Sequence, residues 1–250
     1  MENHLQHLPD LPEPFLMIAV KGGPFDMGGE SWNIDSLPVH PVELDDFWMG
    51  QHPVTQALWT AVMGEENNPS HFKGPTRPVE TVSWDLIDQE FLTQLNKKTE
   101  NSRPPGMVYR LPTEAEWEYV ARGGKYWKEK PYLFSGSDIL DEVGWYNENS
   151  HNETKPVGLK LPNKLGLFDM SGNVWEWCSD WYGGDYYQKC LDKGVEKNPK
   201  GPEKGSDRVR RGGSWIISAL HCRTSYRHNY TPAFRPNFLG FRLVLFALPV

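Results

Sequence analysis

GGSWIISALHCRTSYRHNYTPAFRPNFLGFRL (residues 212–243) has a tightly specified frame and a mixed middle. It opens on two glycines and a tryptophan and closes on Gly-Phe-Arg. In between, Ile216, Ile217, Ser218, Leu220, His221, Tyr226, His228, Tyr230, Phe234 and Phe238 keep neither a period of 2 nor one of 3.6. Neither a strand nor an amphipathic helix accounts for such spacing. The stretch reads as a long, supported loop. Upstream the texture is the same: from Tyr132 onward Gly, Pro, Asn and aromatic residues dominate and helical periodicity fades. Short strands are expected at VWEWCSDWY (174–182), RVRRGG (208–213) and GFRLVLF (240–246). Structureless runs beyond ~15 residues are uncommon unless they carry function.

The first half is more regular. FLMIAV (15–20) reads as a strand, KGGPFDMGG (21–29) as a turn and VELDDFWMG (42–50) as a second strand, while residues 1–14 are polar, Pro-rich and read as a loose lead-in. Three helices are punctuated. Thr55 caps QALWTAVM before Gly64, and Ser83 caps WDLIDQEFLTQLNKK, in which Ile87, Phe91 and Leu95 recur every four residues. Thr113-Glu114-Ala115-Glu116 is a capping box that opens WEYVAR and ends at Gly123-Gly124. All three helices fall in the first half. No linker separates the halves, so one domain over 15–250 is expected.

A chain of 250 residues, 38% hydrophobic and with 11 tryptophans, can bury a large core. The 23 glycines and 21 prolines make it loop-rich rather than disordered. A formal net charge of −7 without a basic cluster gives no footprint for nucleic acid. No run approaches ~18 apolar residues, so no membrane span is expected. The N-terminus lacks the basic and apolar regions of a signal peptide; the location that follows is the cytoplasm, or the cell surface if a signal has been removed. Cys178, Cys190 and Cys222 form neither a disulfide framework nor a C-x-x-C metal knuckle.

MIAVKGGPFDMG, PVTQALWTAVMG, RPVETVSWD, YRLPTEAEWEYVARGG, TKPVGLKLPNKLGLFDMSGNVWEWCSDWY, RVRRGGSW and LGFRLV together resemble the formylglycine-generating-enzyme (sulfatase-modifying factor) domain family from about residue 15 to the end. The resemblance implies an irregular, C-type-lectin-like α+β fold. The family's enzymes oxidise a sulfatase cysteine to formylglycine with a copper ion on two cysteines five apart, and the matching positions here are Ile217 and Cys222. Two soft thiolates suit Cu(I); one thiolate and an isoleucine do not. Cys222 therefore reads as a buried structural cysteine. A second enzymatic branch holds non-haem iron on histidines of an added helical domain. That domain has no counterpart here, and His221 and His228, seven apart, lack a third ligand. The alternative to a binding protein is nonetheless a formylglycine-generating enzyme or a related metal-dependent oxidase acting on a cysteine or thiol.

Within the family, the C-terminus is most similar to the variable proteins of diversity-generating retroelements, in which adenine-directed mutagenesis rewrites asparagine codons. Such codons never become Lys, Glu, Gln, Trp or Met, and none of the five occurs between Ile216 and Phe238. The resemblance implies a variable segment over 216–238 with Ile216, Ile217, Ser218, His221, Tyr226, His228, Tyr230, Phe234, Asn237 and Phe238 as its ligand-facing residues, and Asn229 and Asn237 still asparagine. Its supports are Trp215, Cys222, Arg223, Arg227, Thr231-Pro232, Arg235, Phe241 and Arg242. The content suits recognition, because Tyr and Phe give contact area at small entropic cost while Ser, His and Asn give adaptable hydrogen bonds. The expected partner is a protein or surface ligand of unspecified identity, and no cofactor is required. The family also binds calcium in the loop DMSGNVWEW, where Asp169, Gly172, Val174 and Glu176 are the matching candidate ligands for a structural calcium. The tryptophans of WEWCSDW read as core.

Overall fold

The computed structural model describes residues 1–29 and 33–247; the last three residues of the domain expected over 15–250 lie outside that range. The strands and helices are, in chain order, β1 (His4–Gln6), β2 (Phe15–Val20), β3 (Gly23–Met27), β4 (His40–Leu44), β5 (Phe47–Gly50), α1 (Gln56–Met63), α2 (Trp84–Leu86), α3 (Leu92–Lys98), β6 (Met107–Arg110), α4 (Glu114–Ala121), α5 (Leu140–Val143), β7 (Trp175–Trp181), α6 (Tyr186–Lys193), β8 (Glu196–Lys197), β9 (Arg208–Arg211), β10 (Arg227–Tyr230), β11 (Leu239–Phe241) and β12 (Val244–Ala247). They form an irregular α+β architecture with three sheets, ordered β1-β2-β5-β12-β6, β10-β9-β7-β11 and β3-β4-β8.

The helix starts follow the sequence signals. The Thr55, Ser83 and Thr113 hydroxyls accept from the amides of Leu58, Leu86 and Glu116, and Glu116 reaches back to the Thr113 amide to close the capping box. The helix expected over 84–98 is α2 joined to α3 by a π-helical turn, Ile87–Phe91, which still turns Ile87, Phe91 and Leu95 into the core.

Five expectations need correction. KGGPFDMGG, read as a turn, carries the strand β3, which pairs antiparallel with β4 over its whole length. The lead-in is not loose: β1 pairs antiparallel with β2, and Gln6 is buried, bonded to the Ser102 and Tyr109 hydroxyls. The strand expected over 42–50 is two, parted at Asp45-Asp46, whose carboxylates bond to Asn198 and to the Gly22 amide. Paired aspartates favour such local bonds over a ladder. The strand expected over 240–246 is also two, in different sheets, parted where Arg242 turns inward. Helices are not confined to the first half. α5 is one turn, and α6 buries only Tyr187 and Cys190, with the Tyr187 ring 4.4 Å from His40. Two buried positions three apart, stopped by Gly194, are too short a pattern for periodicity to reveal.

One large apolar cluster runs from Trp59, Phe91 and Trp177 to Phe241 and Leu245; a second joins Phe25, Phe47, Trp117, Tyr119 and Val209. Between them lie buried ion pairs. Arg242, in the gap between β11 and β12, donates to Glu176 of β7 from Nη2 at 2.8 Å and from Nε at 3.0 Å, and both residues are fully buried. Trp117 Nε1 adds a third bond to Glu176 at 2.7 Å. Removing one partner of such a pair strands a charge in a low dielectric, at a cost of about 3–5 kcal/mol, whereas removing both costs less. Glu176→Gln should therefore lower the unfolding free energy by about that amount in a urea melt. The double variant Glu176→Leu/Arg242→Met should lose less than the single. Equal or additive losses would contradict the account of this pair.

Candidate functional site

The 212–243 segment is anchored at intervals along its length. At its start, Gly213 has φ 73°, and a Cβ there would lie 2.5 Å from Cys222 Sγ and 2.9 Å from Cys222 Cα. Only glycine lets the chain fold back this closely on the short 3-10 turn Ala219–Cys222. Trp215, buried, donates from Nε1 to the Asn237 carbonyl at 3.1 Å and so clips the two ends of the segment together. In the middle, Arg211 of β9 donates to the carbonyls of Thr224 (2.8 Å) and Ser225 (3.2 Å) while its guanidinium pairs with Glu118 (2.5 Å) and Glu114 (3.4 Å). Arg227 pairs with the same Glu114 at 2.8 and 2.7 Å. Towards the end, the carbonyls of Pro232, Pro236 and Phe238 accept from the amides of Asp85, Thr81 and Trp175.

Glu114 and Glu118 reach these arginines because α4 places positions four apart on one face. Burial alone would raise the Glu118 pKa, but Arg122 and Arg211 outweigh it and hold the carboxyl below its usual range. Burial opposes the charge of Arg227, and Glu114 more than restores it, raising its pKa.

Strand β10 explains how support and display share one segment. It pairs antiparallel with β9, placing Arg227 opposite Arg211, His228 opposite Arg210 and Tyr230 opposite Arg208. Successive side chains of a strand alternate faces. Arg227 turns inward to Glu114, while His228 and Tyr230 take the other face. There the rings form a chain: His221 to Tyr226 (4.7 Å), Tyr226 to His228 (6.4 Å), His228 to Tyr230 (5.9 Å), Tyr230 to Phe234 (4.3 Å) and to Phe238 (6.5 Å).

Of the residues expected to face a ligand, none is buried. Ile216, Ser218 and Phe234 are exposed, while Ile217, His221, Tyr226, His228, Tyr230, Asn237 and Phe238 are half-buried. Ser218 joins the ring chain through His221 (2.9 Å). Ile217 stands apart, packed against a small cluster of Phe134, Leu140, Val143, Tyr146 and Cys222. The half-buried rings of Tyr226, Tyr230 and Phe238 pack on the main core, so the layer is a lining over the core rather than a set of free side chains. Of the expected supports, Trp215, Cys222, Arg227, Phe241 and Arg242 are buried and Arg223 is half-buried. Arg235 is exposed, which corrects its reading as a support; Thr231 is exposed as well, and it is the Pro232 and Pro236 carbonyls that fasten this stretch.

Sequence reasoning passed over two members of the site. Trp175, read only as core, faces the Tyr226 and His228 rings at 6.0 and 6.2 Å. Arg210 lies beneath the ring chain, its guanidinium 4.2 Å from the Trp175 ring centre and 4.0 Å from that of Tyr230. The one hint was the alternation of Arg208 and Arg210 along the strand.

The residues matched to a calcium loop do not fit that ion. Both Glu176 oxygens are taken by Arg242 and Trp117. Asp169 is engaged within the protein, accepting from the Gly158 amide at 2.8 Å and from Asn173 Nδ2 at 3.4 Å. Gly172 and Val174 are buried in the same turn, the Gly172 amide bonded to the Gly212 carbonyl at 2.7 Å. The loop is closed by arginine and backbone. The Cys222 thiol is fully buried, and burial pushes it up to about 12; Cys178, also buried, belongs to a different cluster.

Residues 8–247 match the model of the sulfatase-modifying factor enzyme 1-like domain. The chain is similar to the chaperone protein LppX of Paenibacillus barcinonensis, 35% identical over 84% of this chain and 82% of the relative. It is also similar to the formylglycine-generating enzyme of Streptomyces coelicolor, 37% identical over 67% of this chain, where it spans 52% of the enzyme's length. Among solved structures it resembles Treponema denticola variable protein 1, with a TM-score of 0.84 and 32% identity over 97% of this chain and 98% of the other. The irregular fold expected from the motifs is therefore shown.

The burial of the thiols has a direct readout. In native protein none of Cys178, Cys190 and Cys222 should react with Ellman's reagent on the minute timescale, and all three should titrate in 8 M urea. Fast native labelling of Cys222 would show an open thiol site and contradict this geometry.

Proposed function

We propose, from the premise that the chain belongs to the sulfatase-modifying factor enzyme 1-like domain family, that it is a non-enzymatic binding protein displaying residues 216–238 as a diversified recognition surface. The observation that carries this reading is the division of labour in β10 and its flanks. None of the expected ligand-facing residues is fully buried, while Arg227 and Arg211 fix the backbone from below through Glu114 and Glu118. A backbone held by buried ion pairs and carbonyl contacts does not depend on which side chains sit on its outer face. Those side chains can then change without loss of the fold, as a recognition surface rewritten at the DNA level requires. The likeness to a Treponema denticola variable protein over nearly the whole of both chains supports the same reading. The display is rich in Tyr, His and Phe, the residues that give contact area with few torsions to freeze.

The identity with formylglycine-generating enzymes favours one rival, oxidation of a cysteine substrate. Chemistry of that kind needs two thiolates for Cu(I). Here Ile217 occupies the first position, and Cys222 is closed in by Gly213 and held protonated by burial.

Two experiments test the proposal. Purified protein with copper and oxygen should leave a sulfatase-type cysteine peptide unconverted; turnover above a no-protein control would install the rival. The genomic locus should hold a reverse-transcriptase gene and a near-repeat of the segment encoding 212–243 that differs only at adenines. A locus with neither would remove the diversification.

A further inference from the structure

Three of the four most deeply buried arginines sit on carboxylates: Arg211 on Glu114 and Glu118, Arg227 on Glu114, and Arg242 on Glu176. Arg210 does not. It is 5% exposed, makes no ion pair among the described residues, and its Nε and Nη1 have no hydrogen-bond partner. Its surroundings are rings: Trp175 at 4.2 Å, Tyr230 at 4.0 Å and Phe238 at 5.8 Å from the guanidinium carbon. Stacking on aromatic faces stabilises a cation in part, but it leaves the in-plane N–H donors unsatisfied. A buried, unmatched guanidinium is costly, and an apolar residue of the same length would stack on these rings without that cost.

The position of the charge indicates its use. Arg210 lies opposite His228 in the β9–β10 ladder, on the display face, and two of the rings over it, Tyr230 and Phe238, belong to the recognition surface. The floor of that surface is thus a fixed cation, and its roof is the set of side chains that changes.

We propose that Arg210 is an anion subsite at the base of the recognition surface, and that the partner is a protein or peptide presenting a carboxylate (an Asp or Glu side chain or a chain terminus) flanked by an apolar group. The carboxylate supplies the missing counter-ion through a charge-assisted contact with the guanidinium, while the apolar flank lies against the surrounding rings. The guanidinium keeps its charge for this role at neutral pH: burial pushes its pKa down only to about 10, with Tyr230 and Tyr226 opposing the shift. This inference rests on the recognition-surface reading and adds the chemistry of what is recognised.

The test uses two small probes that differ in one charge, N-acetyl-phenylalanine and N-acetyl-phenylalaninamide. Each is titrated into the full chain while the Arg210 Nε–Hε resonance is followed by NMR. The acid should bind at least about tenfold more tightly than the amide, as a charged partner does over a neutral one, and move the Arg210 signal. Arg210→Met, once a melt shows it folded, should abolish that preference. Equal binding of acid and amide overturns the subsite and leaves the recognition surface standing, as does a folded Arg210→Met that keeps the preference. No response to either probe overturns the subsite too. The wild-type comparison needs no variant, so a misfolded Arg210→Met does not remove the test. Turnover of a cysteine peptide, by contrast, would remove the recognition reading itself.

Discussion

Glu114 is the residue on which most else in this structure hangs. It is the first residue of α4, fixed by the capping box, and its carboxylate takes Arg211 from β9 and Arg227 from β10. One side chain thereby joins the most regular helix of the first half to the two strands that frame the irregular second half. The Tyr187 hydroxyl of α6 adds a further contact at 3.3 Å. Charges are taken out of water here at considerable cost, and the arrangement holds only because each guanidinium finds a carboxylate or a carbonyl. With few long strands or helices, the second half lacks a repetitive ladder to fix its path. Directional bonds from buried arginines to backbone carbonyls take over that role: Arg211 to Thr224 and Ser225, and Arg242 to Phe168 and to Gly50 at the end of β5.

The arrangement separates stability from recognition. The inward face of β10 belongs to the ion-pair frame and the outward face to the ring chain, and a strand's two-residue repeat keeps the two sets from interfering. The same logic accounts for Gly213 and Trp215, which fix where the segment begins without contributing to its outer face. It also makes Arg210 the exception: a buried cation on the display side, stacked on rings and without a counter-ion among the described residues.

How much was legible in the sequence depended on how local the cause was. The helix caps were, because Thr55, Ser83 and Thr113 bond within their own first turns. So were β2, a continuous apolar run, and β7, marked by Trp175, Trp177 and Trp181. The frame and display of 212–243 were separable on residue types and resemblance. Long-range pairing was not: nothing near Arg227 in the chain announces Glu114, 113 residues away. Glu176, matched to a calcium ligand, serves Arg242, 66 residues on, because the same carboxylate suits either cation and only three-dimensional proximity decides. Arg235 was grouped with the supports by its type, yet it lies outside the ladder that turns Arg227 inward and points to water. The pairing of β1 with β2 escaped notice because three residues carry too short a pattern.

The central claim is that the backbone of 212–243 is held from below and tolerates replacement of its outer side chains. The most direct measurement is a pair of thermal melts. In one variant Ile217, His221, Tyr226, His228, Tyr230, Phe234 and Phe238 are all changed to Ser or Ala; in the other only Arg227→Met is made. Loss of exposed contacts costs about 0.5 kcal/mol per site, and the half-buried rings cost more, whereas stranding the Glu114 charge costs about 3–5 kcal/mol. The account predicts that the sevenfold variant remains cooperatively folded and that Arg227→Met alone lowers the melting temperature by an amount comparable to all seven changes together. A sevenfold variant that fails to fold, beside an Arg227→Met protein that melts like the wild type, would show that the ring chain is the core of this segment and not its surface.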